Sequence, residues 1–274
     1  NMGFVQFHPT ALFEKNKAQL FLISEAVRGA GALLINRKGE RFLYNTDPRG
    51  ELATRDIVSK AIYEELSGNN DECVYLDMRN LNPTTLSLKF PTIYQYLKEA
   101  GYDPLQDPIP VIPAAHFQCG GLKVNRNGET TVPGLFAIGE CAESGLHGSN
   151  RLASNSLLEA LVLSREAAGF LANSLNSELA GECGVMNSHT LINQEDSFAE
   201  EAVKAVKKVM SEHVVIHSSG KSLIYAQEVI RNYTRKLQEK LHEHTISVEA
   251  CKALTIVTVA GCITESRLKV TDKR

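Results

Sequence analysis

The stretch of sequence that decides the fold is residues 134–157, GLFAIGECAESGLHGSNRLASNSL. Its first part, from Gly134 to Glu140, is an apolar run that ends in a charged residue, which is the pattern of a buried parallel strand. A loop rich in Gly, Ser and Asn follows, and an apolar helix is predicted from near Ser156 to about Leu175. Strand, glycine-rich loop and helix in this order indicate one unit of an open α/β sheet.

The loop between this strand and helix is a candidate ligand site, because ligands of open α/β sheets bind beyond the carboxyl ends of the strands. Glu140 ends the strand, and its carboxylate can accept from ligand hydroxyls. Gly145 and Gly148 allow backbone to approach a ligand closely. The helix that opens near Ser156 offers unpaired N–H groups to an electron-rich ligand atom. Taken in isolation, the same residues are better explained by an ordinary glycine-rich loop with a Ser or Asn cap.

The stretch from residue 1 to about 115 mixes short strands with helices. Ile57, Ala61 and Ile62 follow helical spacing, so we expect a helix that Thr54 caps and Gly68 ends. The other predicted elements are strands near 4–7, 32–35 and 74–77, a hairpin turn over 36–40, and a helix over 90–100. The proline-rich residues 104–113 indicate a crossing segment between domains, in which helices are disfavoured because proline lacks an N–H donor and restricts its predecessor.

The stretch from about residue 177 is predicted to be helical. After a polar linker, helical patterns cover Phe198–His213, Ser222–His242 and Val248–Cys262. Short links between helices of this kind favour an antiparallel bundle.

Bulk composition excludes several classes of function. The 274 residues carry a formal net charge of -3, so no basic footprint for nucleic acid is present. No apolar run reaches the length of a membrane span. The six cysteines form no C-x-x-C pair and show no zinc-ligand spacing, so we expect no metal site and reduced core thiols in a cytoplasmic protein. A strand-like segment begins almost directly after Asn1, which leads us to expect further chain before it.

Four cationic or donor side chains are candidates for binding an anion. They are His8, Arg55, His116 and Arg151. A dicarboxylate needs two anchor points, which arginine supplies as a fork and histidine as one directed donor. Taken singly, each of the four is better explained by a structural or surface role, and their spacing alone does not bring them together.

Five ordered blocks of the sequence resemble the succinate dehydrogenase/fumarate reductase flavoprotein superfamily. They are FHPT at 7–10, SEAVRGAGA at 24–32 with GERF at 39–42, AAH at 114–116 with GG at 120–121, GLFAIGE at 134–140, and HGSNRLASNSLLE at 147–159. Within that superfamily, ELATRDIV at 51–58 and IPAAHFQCGG at 112–121 are similar to the L-aspartate oxidase branch.

The resemblance implies a catalytic group of three residues. Arg55 would be the proton donor or acceptor beside the substrate carbon, and Glu25 with Arg28, one helical turn apart, would relay protons to it. Because the arginine pKa lies above about 12, an acid/base role needs a site that disfavours the cation. The alternative is that Arg55 only polarises and orients the substrate.

The resemblance also implies ligand-binding residues. The substrate would be a dicarboxylate such as L-aspartate or fumarate, and FAD would be bound non-covalently. The predicted substrate-binding residues are His8, Ser24, His116 and Arg151, and the predicted cofactor-binding residues are Glu140, Asn155, Ser156 and Leu157. Ser24 departs from the family's usual threonine, although its hydroxyl can still donate.

The fold class implied is α+β / α/β. We expect residues 1–115 to be a capping, substrate-binding domain, 116–176 a returning segment of a Rossmann-like FAD-binding domain, and 177–274 a three-helix bundle. No G-x-G-x-x-G fingerprint follows a predicted strand, and the family carries it ahead of these blocks. We therefore expect a fragment that binds FAD weakly or not at all, and that is inactive alone.

Three functions remain open. The first is FAD-dependent oxidation of L-aspartate to iminoaspartate, the first step of NAD biosynthesis, with O2 or fumarate as acceptor and hand-off to quinolinate synthase. The second is a portion of a fumarate reductase or succinate dehydrogenase flavoprotein. The third is a stable module without catalysis.

Overall fold

The structure is a computed structural model that describes residues 1–15, 17, 19–174, 190–240 and 245–271. It divides into two compact units, each described here by itself. Gln6–Phe117 form the sheet unit, and Asn1–Val5 with Gln118–Arg274 form the helix unit. In the described ranges, no helix combines the length and apolar character needed to cross a membrane. The predicted domain bounds at 115 and 176 stay a prediction.

The sheet unit is built on a four-stranded sheet. Its strands are β1 (Val5–Leu12), β2 (Leu33–Ile35), β3 (Val74–Asp77) and β4 (Ile109–Gln118), in the order β1-β4-β3-β2. The β2–β3 and β3–β4 pairs are antiparallel, with Leu34 opposite Leu76 and Val74 opposite Val111. These apolar partners are buried and form the base of the core. The strands predicted near 4–7, 32–35 and 74–77 are confirmed as β1, β2 and β3.

Four helices accompany this sheet in the sheet unit. They are α1 (Glu25–Gly29), α2 (Arg55–Asn69), α3 (Pro83–Lys89) and α4 (Pro91–Glu99). The predicted helices α2 and α4 are confirmed, but the predicted end of α2 is wrong. Gly68 lies within α2, and Asn70 ends the helix by taking the left-handed conformation at φ 55. Asparagine tolerates this conformation better than most residues.

The expectation that helices are disfavoured over 104–113 is confirmed, and from Ile109 onward the segment forms a strand. These residues begin β4, which lies between β1 and β3. Pro110 stands opposite Tyr75, and its carbonyl accepts from the N–H of Phe13 at 2.9 Å. A proline lacks a donor but keeps its acceptor, so a strand tolerates it where the neighbour supplies the N–H groups.

The helix unit is dominated by long helices. They are α5 (Asn155–Ser174), α6 (Ser197–His213), α7 (Gly220–Lys240) and α8 (Val248–Thr271). Short parallel pairs join β5 (Leu122–Lys123) to β6 (Ala142–Glu143), and β7 (Thr190–Ile192) to β8 (Thr245–Ser247). The helices α6, α7 and α8 share one apolar core, to which α7 contributes Leu223, Ala226, Ile230 and Leu237. The predicted three-helix region is therefore confirmed, with α8 extending past its predicted end.

The predicted parallel strand over 134–140 is wrong. Phe136 forms an isolated antiparallel bridge with Glu129, and Gly139–Cys141 form a 3₁₀ turn. In the part of the chain that the structure describes, only the 125–130 turn pairs with this segment. Leu135 and Ile138 accordingly stay 45% and 40% exposed, because a parallel strand needs neighbours on both sides to be buried.

The cysteines differ partly from the expectation of core thiols. Cys119 is buried, but Cys141 and Cys262 are exposed. Cys183 lies outside the described residues, as does most of the predicted linker that begins at 177.

Candidate functional site

One face of strand β1 is polar and nevertheless buried. Gln6, His8 and Thr10 alternate along the strand, so their side chains point to the same side. Their exposed fractions are only 3%, 3% and 0%. Buried polar side chains need hydrogen-bond partners, so this face marks the centre of a polar cluster inside the sheet unit.

His8 is held as a neutral donor. Its Nδ1 accepts from the backbone N–H of Thr10 at 3.3 Å, so the neutral ring carries its hydrogen on Nε2. Burial, reinforced by the positive charges of Arg55, His116 and Arg28, lowers the pKa of His8 to about 3. His8 therefore remains uncharged at neutral pH and can donate one directed hydrogen bond from Nε2.

His116 lies beside His8. It comes from β4, the neighbour of β1 in the sheet. The two ring centroids are 5.2 Å apart at an interplanar angle of 74°, an edge-to-face contact. The structure thus brings together two histidines that are far apart in sequence, as a two-point anchor for an anion requires.

Arg55 is oriented by two acceptors from the same unit. Its Nε donates to Glu25 Oε2 at 2.8 Å, and its NH1 donates to Gln6 Oε1 at 3.1 Å. The Arg55 side chain is 12% exposed, so the ion pair with Glu25 is partly desolvated and stronger than a surface pair. Its position at the first residue of α2 is unfavourable for a cation, which the helix dipole repels.

Arg28 is the second arginine of the cluster and is 3% exposed. Burial lowers its pKa, with Arg55 adding to the effect and Glu25 opposing it. Its NH1 donates to the backbone carbonyl of Glu51. The Glu51 carboxylate in turn accepts two hydrogen bonds from Arg41, from Nε at 3.2 Å and from NH2 at 2.7 Å.

Gln6 and Glu51 are functional candidates that the sequence analysis missed. The signal for Gln6 was available, because Gln6, His8 and Thr10 place polar residues on one face of a predicted strand. Glu51 had no such local signal. The predicted substrate residue Ser24 caps α1, where its Oγ accepts from the Ala26 N–H at 3.3 Å.

The remaining predicted residues belong to the helix unit. Arg151 is 7% exposed, and its NH1 lies 3.4 Å from both Leu152 O and Ser156 Oγ. Asn155 and Ser156, the first residues of α5, are half-buried. Glu140 is exposed, and its Oε1 accepts from the Gln118 N–H at 2.9 Å.

The start of α5 exposes apolar side chains beside these polar groups. Leu152, Leu157 and Leu158 are 63%, 78% and 62% exposed. Exposed apolar side chains that lie together mark a binding surface. Together with a helix N-terminus and the Glu140 carboxylate, it suits a ligand that combines an apolar ring with polar edges.

Comparison with known proteins identifies relatives of the whole chain. Residues 1–157 match the family described as FAD binding domain. The chain is 40% identical over 276 residues to an L-aspartate oxidase of Pseudomonas aeruginosa, covering 100% of this chain and 51% of the relative. It is 36% identical to the chloroplastic L-aspartate oxidase 2-a of Nicotiana tabacum, covering 100% of this chain and 46% of that protein.

A solved structure shares the fold. The match is a quinol-fumarate reductase with menaquinol molecules, with a TM-score of 0.80 and 28% sequence identity, covering 98% of this chain and 52% of that one. The chain therefore spans about half the length of the relatives it matches.

Proposed function

Because this chain belongs to the FAD binding domain family of flavoproteins, we propose that it is the substrate-binding part of an FAD-dependent L-aspartate oxidase. The proposed reaction converts L-aspartate to iminoaspartate, with O2 or fumarate as the electron acceptor. The names of relatives that align with the whole chain support this substrate.

The observation that carries the proposal is the Arg55 cluster of the sheet unit. Arg55 and Arg28 contribute two positive charges, Glu25 contributes one negative charge, and His8 is neutral. A positive excess in a partly desolvated cluster attracts an anion. His8 and His116 add directed donors, so the cluster suits a carboxylate group of L-aspartate.

The residues of this cluster account for binding and proton movement. The substrate loses its Cα hydrogen with two electrons, and its ammonium group loses one proton. FAD, when bound, supplies the acceptor for the electrons and that hydrogen. His8 Nε2–H donates to a substrate carboxylate. The pair formed by Arg55 and Glu25 takes up the proton that the substrate's ammonium group releases. In the direction of fumarate reduction, the same pair delivers a proton to carbon.

The helix unit offers the residues that would hold the cofactor. We assign Glu140 to hydroxyl groups of FAD, Asn155 and Ser156 to its polar edge, and Leu157 to its apolar ring. The 78% exposure of Leu157 and the exposed carboxylate of Glu140 support this assignment. Arg151, also in the helix unit, is assigned to a carboxylate group of the substrate.

The proposed product suggests the place of the reaction. An imine hydrolyses in water, so iminoaspartate has to be consumed promptly by a following condensation. We therefore place the reaction at the start of NAD biosynthesis, with hand-off to quinolinate synthase. Cytoplasmic localisation belongs to this proposal.

A fumarate reductase or succinate dehydrogenase flavoprotein is the second candidate. The TM-score of 0.80 with a quinol-fumarate reductase favours it as a fold. The identity to that protein is 28%, against 40% to an L-aspartate oxidase, and this difference favours the oxidase.

The test compares substrates in the whole protein loaded with FAD. We expect oxidation of L-aspartate and little oxidation of succinate. Arg55→Ala should lower kcat about 10²- to 10⁴-fold, because it removes a positioned proton-transfer group. Arg79→Ala is the matched control, since Arg79 is 46% exposed and pairs with Asp77 in the same unit. Preference for succinate, or near-normal turnover of Arg55→Ala, would show the proposal to be wrong.

A further inference from the structure

Glu159 is a buried carboxylate in a stretch of α5 whose apolar side chains are exposed. It is 5% exposed, whereas Leu158 and Leu161 are 62% and 69% exposed. A carboxylate leaves water only where hydrogen-bond donors replace the solvent. Its burial therefore marks a specific contact and not a solvated helix side chain.

Both oxygens of this carboxylate contact the loop that precedes α5. Ser144 Oγ donates to Glu159 Oε1, and His147 Nε2 lies 2.7 Å from Glu159 Oε2. Ser144 Oγ also accepts from the Leu146 N–H at 3.2 Å. The side chains of His147 and Glu159 are 5% and 4% exposed. We call Ser144, His147 and Glu159 the loop clamp.

The backbone of this loop takes the left-handed conformation at several positions. Gly145, Gly148 and Ser154 have φ values of 88°, 54° and 66°, all in the left-handed region. That region suits glycine but is unfavourable for serine. One turn, in which the Asn150 N–H donates to His147 O at 3.1 Å, stabilises the centre of the loop. The contacts that Glu159 of α5 makes with Ser144 and His147 are therefore important for holding the loop in one conformation.

Arg151 lies at the end of this loop and depends on its backbone. Its NH1 contacts to Leu152 O and Ser156 Oγ are both 3.4 Å long, near the upper limit for a hydrogen bond. Both acceptors lie within five residues of Arg151, at the end of the loop and in the first turn of α5. The loop backbone therefore has a large part in deciding where the guanidinium lies.

We propose that Glu159 is a positioning residue for Arg151. Through Ser144 and His147 it fixes the 144–151 loop, and the fixed loop presents the Arg151 guanidinium to a carboxylate of a dicarboxylate ligand. This inference rests on the proposed function, in which Arg151 binds the substrate.

The first test measures amide hydrogen exchange in the whole protein. Glu159→Ala removes both contacts, and exchange over residues 144–152 should become about tenfold faster, because local opening no longer has to break the loop's contacts with a buried carboxylate. Glu159→Gln retains the side-chain volume and should show a smaller increase, as should Ser144→Ala if Glu159→Ala does not fold. Glu166→Gln, at an exposed position of the same helix, is the control and should leave this exchange unchanged. Unchanged exchange in the folded clamp variants would overturn the proposal.

The second test measures the dissociation constant for succinate, a dicarboxylate that needs no turnover to report binding. Glu159→Gln should raise it about three- to tenfold and Arg151→Ala by more, because a misplaced guanidinium loses part of its charge-assisted contact. If Arg151→Ala weakens binding but the clamp variants do not, the positioning role is overturned. If Arg151→Ala itself has no effect, the role of Arg151 in the proposed function is wrong, while the exchange data still decide whether the clamp holds the loop.

Discussion

Arg55 Nε donates to Glu25 Oε2 at 2.8 Å, and this contact joins the first residue of α2 to the first residue of α1. The pair is separated by 30 residues in sequence, yet it forms the centre of the polar cluster. Its partial burial makes the contact directional, because a desolvated ion pair tolerates little misalignment.

Glu25→Gln tests whether the negative charge of Glu25 moves protons or only holds Arg55. Glutamine preserves an oxygen acceptor for Arg55 but cannot take up a proton. We expect kcat to fall about 10²-fold with the dissociation constant for succinate little changed, as for loss of a proton-transfer group. Steady-state kinetics in the whole protein checks this. Glu99→Gln, at an exposed position of α4, is the control. Equal losses in kcat and in succinate binding would indicate a purely structural role for Glu25.

The depressed pKa of His8 predicts that acid destabilises the fold. The folded-state pKa is about 3 and the ordinary value 6.5, so between these pH values the unfolded chain binds a proton that the folded chain does not. Stability is therefore lost as pH falls from about 6.5 towards 3. Between pH 7 and pH 5 the unfolding free energy should drop by about 2 kcal/mol on account of His8.

His8→Gln removes this titration, so the drop between pH 7 and pH 5 should shrink by a similar amount. Urea denaturation at the two pH values measures it. His217→Gln is the control, because His217 is exposed in the helix unit. An unchanged pH dependence in His8→Gln would contradict the neutral, buried state of this ring.

Arg267 predicts a stability effect in the helix unit. Burial lowers its pKa, and its guanidinium donates to the carbonyls that follow α6: to Val215 and Ile216 from NH2 at 2.5 and 3.1 Å, and to Val214 from NH1 at 3.3 Å. Arg267→Ala leaves these acceptors without the donor, so we expect a loss of about 2–3 kcal/mol. Thermal or urea unfolding checks it against Lys269→Ala, where the side chain is 71% exposed. Equal effects of both substitutions would contradict the role given to Arg267.

Two glycines predict opposite effects of the same substitution. A Cβ on Gly121 would lie 2.4 Å from the Cys141 carbonyl oxygen, so Gly121→Ala must push β5 away from β6. We expect a loss of about 2 kcal/mol or more in unfolding free energy, as for overpacking against backbone. Gly68 lies inside α2, and a Cβ there meets nothing within 4 Å. Gly68→Ala should stabilise by about 0.5–1 kcal/mol, which urea denaturation of both variants can measure.

The sequence by itself determined the elements whose signal is local. The stripe of Leu223, Ala226, Ile230 and Leu237 predicts α7 because helical periodicity depends only on neighbouring residues. Short apolar runs located β2 and β3 for the same reason. The motif blocks were also sufficient to indicate the family and most of the candidate site residues, because a motif is a property of sequence order.

Tertiary structure decided the features that depend on a distant partner. Proline disfavoured a helix at 109–113, but only the place of these residues between β1 and β3 shows that they form a strand. The apolar run at 134–138 predicted a strand, but the described residues provide a single antiparallel bridge there. The pairing of Glu51 with Arg41 and the burial of Glu159 against Ser144 and His147 left no local signal. Burial and ion pairing are set by side chains remote in sequence, so only the folded chain shows which charges face each other.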